Sequence, residues 1–241
     1  VIPKSVTSIG DYAFKFCSSL ESVTIPEGVT SIGDFAFMQC KKLASVTIST
    51  SVTSIGKLVF NECGSLTSIT VDANNVKYAS DERGALFDKD KTILLKYPTA
   101  NTTTSYAIPE GVTTIEDCAF YDCKSLESVT LPKGVTSIGQ FAFLNCNSLV
   151  SVIIPEGVTS IKDRTFSGCN SLVSVTIPES VTYIGVHAFS SCGSLVSVNI
   201  PKGVTGIDTF AFYGCDSLAS VTIPDTVTSV GNLAFSCCDN L

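Results

Sequence analysis

Hydrophobic and polar residues alternate in a short segment that returns every 23 residues along the chain. Ser22-Val23-Thr24-Ile25 is one copy, and Ser174-Val175-Thr176-Ile177 is another. Successive side chains of a strand point to opposite faces, so Val and Ile lie on one side and Ser and Thr on the other. The pattern therefore predicts one short β-strand with a single buried face in each repeat.

Prolines and apolar residues recur at fixed positions of this repeat, and each set of equivalent positions is called a column below. Proline follows the alternating segment at most repeats, and only the interval from Asp72 to Pro109 departs from 23 residues, because it is 37 residues long. An Ala-Phe pair, a cysteine and a leucine follow at fixed offsets, as in Ala142-Phe143, Cys146 and Leu149. So few apolar positions cannot form a core within one repeat, whereas stacked repeats bury a continuous one. The sequence thus predicts a repeat solenoid, with parallel β-strands on one concave face and short helical or 3₁₀ turns and loops on the other.

The recurring pattern L-x-x-V-T-I-P-x-x-V-T-S-I-G-x-x-A-F-x-x-C resembles the BspA-like, treponemal-type leucine-rich repeat of bacterial surface proteins. It covers essentially the whole chain, which we interpret as a single solenoid domain, 1–241, of about ten repeats. Residues 72–108 form an irregular repeat in which two apolar runs, 84–87 and 92–98, flank the polar segment 88–91. This arrangement predicts an inserted β-hairpin that projects from the solenoid. Because both ends cut through a repeat, we expect the chain to be a fragment of a longer protein.

Composition excludes several functions. The formal net charge is −7, whereas nucleic-acid binding requires a basic surface, and no apolar run is long enough to cross a membrane. The chain has one histidine and no catalytic motif, so we expect neither an enzyme nor a bound cofactor or metal. The acids Asp81, Glu82, Asp88 and Asp90 lack the spacing of an EF-hand loop, which favours a solvated hairpin tip over a cation site.

Nine of the eleven cysteines occupy one column, with a spacing of 23 residues that suits neither a disulfide nor a metal site. We interpret the column as small buried apolar residues. Cys118 and Cys237 lie outside it, and either is a candidate exposed thiol. His187 and Cys192 are five residues apart, but His187 replaces an aromatic residue present at Phe141 and Phe210, so a structural role is favoured over catalysis.

The candidate binding patch comprises Val150, Val173 and Val196, which directly follow the leucine in three successive repeats, and Ile153, which replaces an outward Thr. An apolar stripe on a polar surface can mark a contact site, although single exposed valines need no functional explanation. These four residues therefore have two interpretations, a partner-binding site or exposed apolar side chains without a function.

The leading functional hypothesis is a non-enzymatic adhesion or protein-interaction module. The resemblance implies a cell-surface or extracellular location and partners such as host matrix and plasma glycoproteins, including fibronectin and fibrinogen, or other cells. A structural spacer that presents a neighbouring domain is the alternative. Binding of ice or a mineral by the threonine columns is a weaker one, because threonine is simply a good strand residue. The oligomeric state is left open.

Overall fold

The computed structural model describes residues 2–241, and the chain forms two compact units, Val1–Thr102 and Thr103–Leu241. Each unit is a parallel β-solenoid with turns of about 23 residues, called coils below, which confirms the predicted fold class. The described residues contain no helix. Strands are numbered in chain order.

In the first unit, the predicted alternating segments form the long strands β2 (Ser22–Ile25), β4 (Ser45–Ile48) and β6 (Ser68–Val71). They pair in parallel with a register of exactly one repeat, so that Ser22 lies opposite Ser45 and Thr47 opposite Thr70. A second column contains the two-residue strands β1 (Ser8–Ile9), β3 (Ser31–Ile32) and β5 (Ser54–Ile55), which the sequence did not predict.

The irregular repeat completes the first unit. Its strands are β7 (Tyr78–Ser80), β8 (Leu86–Asp88) and β9 (Ile93–Lys96), paired antiparallel in that order. β8 and β9 are the predicted hairpin, and β7 adds a strand that the sequence did not predict. The hairpin does not project into solvent, because Leu86, Phe87 and Leu94 are almost fully buried. Their burial stabilises the insertion against its own unit.

The second unit repeats the same two columns without interruption. Its long strands are β10 (Ser105–Ala107), β12 (Ser128–Thr130), β14 (Ser151–Ile153), β16 (Ser174–Thr176), β18 (Ser197–Asn199) and β20 (Ser220–Thr222). Its short strands are β11 (Thr114–Ile115), β13 (Ser137–Ile138), β15 (Ser160–Ile161), β17 (Tyr183–Ile184), β19 (Gly206–Ile207) and β21 (Ser229–Val230).

The segments for which the sequence suggested helical or 3₁₀ turns form consecutive β-turns instead. Met38 N–H donates to Phe35 O and Cys40 N–H to Phe37 O, each across three residues. Phe35 and Gln39 have φ of 57° and 60°, and equivalent residues of the other regular coils are also positive. A helix requires negative φ at every residue, so these two positions per coil end any helical run after a single turn. The N–H groups of Phe35, Phe37 and Gln39 instead bond to the next coil.

Phenylalanine rings and thiols hold the coils together in the core. Phe120 and Phe143 stack with centroids 4.8 Å apart, and Phe166 and Phe189 with centroids 5.4 Å apart. The cysteine side chain of one coil donates to the phenylalanine carbonyl of the preceding coil, with Cys169 Sγ 3.2 Å from Phe143 O. Seven of the nine column cysteines are buried as predicted, whereas Cys17 is exposed and Cys238 is half-buried. Most of the buried thiols also donate a hydrogen bond to the preceding coil.

Aspartates link successive coils where glycine permits a close approach. Asp117 Oδ1 accepts the N–H of Gln140, one repeat later, at 2.8 Å. A Cβ on the intervening Gly139 would lie 2.4 Å from Asp117 N and 2.6 Å from Asp117 Oδ1, so only glycine fits. The same pairing of an aspartate with a glycine 22 residues later occurs in four coils, at Asp11 and Gly33, Asp34 and Gly56, Asp117 and Gly139, and Asp163 and Gly185.

Candidate interaction surface

The predicted apolar patch lies entirely in the second unit and is exposed. Val150, Val173 and Val196 are 45%, 44% and 48% exposed, and Ile153 is 70% exposed. The three valines directly precede β14, β16 and β18, and Ile153 ends β14 opposite Thr176. The structure therefore brings these four residues onto neighbouring coils of one surface.

Backbone hydrogen bonds fix the spacing of the valines. Val173 N–H donates to Val150 O at 2.8 Å, and Val196 N–H donates to Val173 O at 3.3 Å. Neighbouring parallel strands lie about 4.8 Å apart, so the three side chains form a continuous row about 10 Å long. Because the row is held by main-chain bonds on both sides, a partner need not order it on binding.

The surroundings of the patch are polar, and the charged residue Glu127 is exposed in the same column, one coil before Val150. Ser151, Ser174 and Ser197 are exposed beside the valines, and Thr176 and Asn199 are exposed in the row that contains Ile153. The first unit has Glu21, Ala44 and Thr67 in the equivalent column, so it lacks the apolar row. The patch is a local feature of the second unit rather than a property of the repeat.

A second threonine column uses its hydroxyl groups within the fold. Thr136 Oγ1 donates to Thr113 O, Thr182 Oγ1 to Thr159 O and Thr205 Oγ1 to Thr182 O, over 3.2–3.4 Å. These hydroxyls already link coil to coil, which gives this column a structural role.

The two cysteines outside the column differ in exposure. Cys118 is buried, so the suggestion that it is an exposed thiol is wrong, whereas Cys237 is exposed. Burial raises the pKa of the Cys63 and Cys215 thiols to about 12, which keeps them protonated and therefore poor nucleophiles. No disulfide joins any cysteines within residues 2–241.

His187 and Cys192 are not brought together as a catalytic pair. Cys192 is buried and its Sγ lies 3.2 Å from Phe166 O, while the His187 ring stacks on Phe210 with centroids 4.7 Å apart. The predicted aromatic role of His187 is thus confirmed. Partial burial, followed by the charge of Arg164, lowers the pKa of His187, and Asp163 opposes this effect.

The acidic residues of the insertion cap turns. Asp88 Oδ1 accepts the N–H groups of Thr92 and Ile93, both at 2.7 Å, and Asp88 Oδ2 accepts the Thr92 hydroxyl. Asp81 Oδ1 accepts the N–H groups of Arg83 and Ala85. Over the part of the chain that the structure describes, no group of three or more metal-ligating side chains converges.

One surface feature escaped the sequence analysis. Phe141, Arg164, His187 and Phe210 occupy the same position in four successive coils of the second unit, and Arg164 is exposed between partly buried rings. Its guanidinium lies over the Phe141 ring, 5.8 Å from the centroid. The 23-residue register places Arg164 in the aromatic column, so the signal was present in the sequence.

The repeat pattern decides the family. A model of the BspA-type leucine-rich repeat region matches six copies, over residues 1–83, 97–209 and 187–241. The chain belongs to the BspA-type leucine-rich repeat family. The resemblance on which the fold was predicted is thereby confirmed. A search of curated proteins gave no match.

Solved structures of bacterial leucine-rich repeat proteins are similar to this family member. A leucine-rich repeat protein from Eubacterium ventriosum is 25% identical, with a TM-score of 0.70 over 98% of this chain and 81% of that one. A leucine rich cell surface protein from Faecalibacterium prausnitzii is 32% identical, with a TM-score of 0.67 over 99% of this chain and 62% of that one. The pneumococcal vaccine antigen PcpA is 26% identical, with a TM-score of 0.79 over 94% of this chain and 66% of that one. The chain thus spans less than two thirds of the last two.

The described residues include no helix that is long and apolar enough to cross a membrane.

Proposed function

We propose that the chain is a non-enzymatic adhesion module of a bacterial cell-surface or secreted protein, which binds a protein or glycoprotein through the apolar patch of its second unit. Host matrix glycoproteins and the surfaces of other cells are the partner classes that we propose. The exposed, regularly spaced row of Val150, Val173 and Val196, with Ile153, is the observation that carries this proposal.

The physical argument is that an apolar row flanked by serines and threonines, with Glu127 at one end, makes a favourable contribution to binding that the rest of the strand surface lacks. Apolar area contributes about 25 cal/mol per Å² removed from water. The neighbouring serines supply hydrogen-bonding groups without the desolvation cost of charges. Membership of the family and similarity to a cell-surface leucine-rich repeat protein support the location.

A substitution at the centre of the patch tests the proposal. Val173→Asp places a charge in the middle of the row, and we expect partner affinity to fall at least about tenfold because the carboxylate must be desolvated. Binding is measured by biolayer interferometry at physiological salt against matrix glycoproteins, mucins and bacterial surface extracts. The fold is checked by circular dichroism.

Ala44→Asp is the matched control, because it introduces the same charge at the equivalent position of the first unit. Unchanged affinity of Val173→Asp would reject the patch. A folded wild-type chain that binds no member of the panel would favour the spacer function instead.

A further inference from the structure

A row of three rings and one cation on the turn side of the second unit is independent of the apolar patch. It contains Phe141, Arg164, His187 and Phe210, which we call the Arg164 row. The N–H groups of Phe141, Arg164 and His187 each donate to the following coil, to Asp163 O, Val186 O and Thr209 O. All four residues have φ of 54–58°, so the backbone holds their side chains in equivalent positions.

Arg164 is available for a partner. It is exposed, and among the described residues its guanidinium has a ring contact with Phe141 but no ion pair or hydrogen bond. Stacking on an aromatic ring occupies the face of a guanidinium and leaves its N–H edge free to bind a carboxylate in two-point geometry. The acid that directly precedes it in the sequence, Asp163, uses Oδ1 to accept the N–H of Val186.

The rings favour the same kind of ligand. His187 covers one face of Phe210 at an interplanar angle of 3°, and Arg164 lies over Phe141. One face of Phe141 and one face of Phe210 are therefore covered, and the Phe210 ring also packs at 78° against Tyr213, with centroids 5.5 Å apart. The edge of an aromatic ring carries its partial positive charge, so the row offers positive edges beside a cationic side chain.

From this arrangement we infer that the Arg164 row is a docking site for an acidic polypeptide segment, with a Glu or Asp carboxylate on the Arg164 guanidinium and His187 as the second donor. A glycan is less suited, because sugars stack on exposed ring faces and one face of each phenylalanine in the row is already covered. The segment runs from coil to coil, with further acidic side chains toward the edges of Phe141 and Phe210. This site goes beyond the proposed function and does not depend on the apolar patch.

Binding has a defined dependence on pH. The groups that act on the His187 ring are Arg164, which disfavours its protonated form, and Asp163, which favours it. Asp208, in the following coil, is engaged by the Tyr183 hydroxyl and by Thr209 N–H. A bound carboxylate offsets the charge of Arg164, so it raises the pKa of His187, and affinity increases as the pH falls through that pKa.

His187 is the only histidine of the chain, so its NMR signals report on this site without ambiguity. The experiment titrates the full chain with an acetylated, amidated hexaglutamate peptide at 0.15 M salt, where charges beyond about 8 Å are screened. Hexaglutamine is the uncharged control peptide. We expect saturable binding of hexaglutamate alone, together with a rise in the pKa of His187.

Two variants locate the effect. Arg164→Gln is expected to weaken hexaglutamate binding about fivefold and to abolish the rise in the pKa of His187. Lys133→Gln, an exposed residue of the same unit, removes the same charge and should leave both unchanged. No rise in the wild-type chain, or equal losses in the two variants, would overturn the proposal.

A parallel titration with a hyaluronan hexasaccharide tests the other class of acidic polymer. A response to hyaluronan without a response to hexaglutamate would show that the partner class is wrong. Failure of both probes would remove this site but leave the adhesion function standing, since Val173→Asp tests that function on a different surface.

Discussion

The regular coils and the insertion provide hydrogen-bond partners for the backbone of the neighbouring coil in different ways. In a regular coil, main-chain groups bond to their equivalents one repeat away, as when Thr136 N–H donates to Thr113 O. In the insertion, side chains take over this task. Tyr78 Oη accepts the N–H of Ile55, exactly one repeat earlier, and Ser80 Oγ accepts the N–H of Val71.

Asn75 provides four of the side-chain hydrogen bonds that replace bonds between backbone groups. It is fully buried, its Nδ2 donates to Ser49 O and Val52 O, and its Oδ1 accepts the N–H groups of Lys77 and Tyr78. One amide thus completes the last regular coil of the first unit and starts the irregular one. The comparison teaches that a coil requires matched donors and acceptors from its neighbour rather than a neighbour of the same sequence.

Removing the Asn75 amide should have the largest effect. Asn75→Ala leaves four backbone groups without their partner, two in buried and two in part-buried hydrogen bonds, and we expect the free energy of unfolding to fall by about 3–5 kcal/mol. Chemical denaturation monitored by circular dichroism measures the loss. Asn74→Ala, at the exposed neighbouring residue, is the control and should change stability little. Equal losses in both variants would contradict the capping role of Asn75.

A backbone contact between regular coils should have the next largest effect. Gly139→Ala forces a Cβ against the main chain of Asp117, and we expect a loss of about 3 kcal/mol in the same assay. Gly10→Ala, in the same column, meets no atom within 4 Å and serves as the control. If Gly139→Ala were as stable as Gly10→Ala, the close approach of coils would not require glycine.

The positive-φ positions allow a small gain in stability. Ser191 is exposed with φ of 59°, and glycine already occupies the equivalent positions of the adjacent coils at Gly168 and Gly214. Ser191→Gly relieves left-handed strain but makes the unfolded chain more flexible, so we expect a net gain of about 0.5 kcal/mol. Ser194→Gly, where φ is not positive, should lose stability instead. A loss in both variants would show that the strain at Ser191 is negligible.

Most of the fold was predictable from residues that recur at fixed spacing. The long strands, the hairpin β8–β9, and the buried cysteine column follow from periodicity and composition alone. The short strands and β7 were missed because two or three residues carry too little pattern to be recognised, and because Tyr78 and Ser80 contribute through side-chain groups.

Some departures from the repeat have a reason that lies in another coil. Lys162 and Asp208 replace the glycine of the Ile-Gly pair in their coils. In the preceding coils, Gln140 and Val186 stand where Asp117 and Asp163 stand elsewhere, so no aspartate requires the close approach there. Gly231 follows Thr209 rather than an aspartate, yet a Cβ on Gly231 would lie 2.4 Å from Thr209 N, so the close approach of coils also occurs without the aspartate. A sequence scanned one repeat at a time does not reveal this dependence.

The candidate surface was only partly predictable. The exposure of Val150, Ile153, Val173 and Val196 follows from their places in the repeat, and their role in binding stays a prediction. Arg164 was missed because its surroundings come from Phe141 and His187, each one repeat away in the sequence.

The bonds between coils also bear on how such a chain changes through evolution. Hydrogen bonds from side chains of one coil to the preceding coil span 22–26 residues in the sequence, as in Ser180 Oγ to Val158 O and Cys146 Sγ to Phe120 O. Deletion or duplication of 23 residues, or of a multiple of 23, within a regular stretch therefore returns each donor to an equivalent acceptor. A change of another length misaligns the donors and acceptors of the coils that it joins, unless side chains replace them as in the insertion. Recombination between repeats can lengthen or shorten this protein in whole coils, and each new coil offers its exposed columns to selection for a new partner.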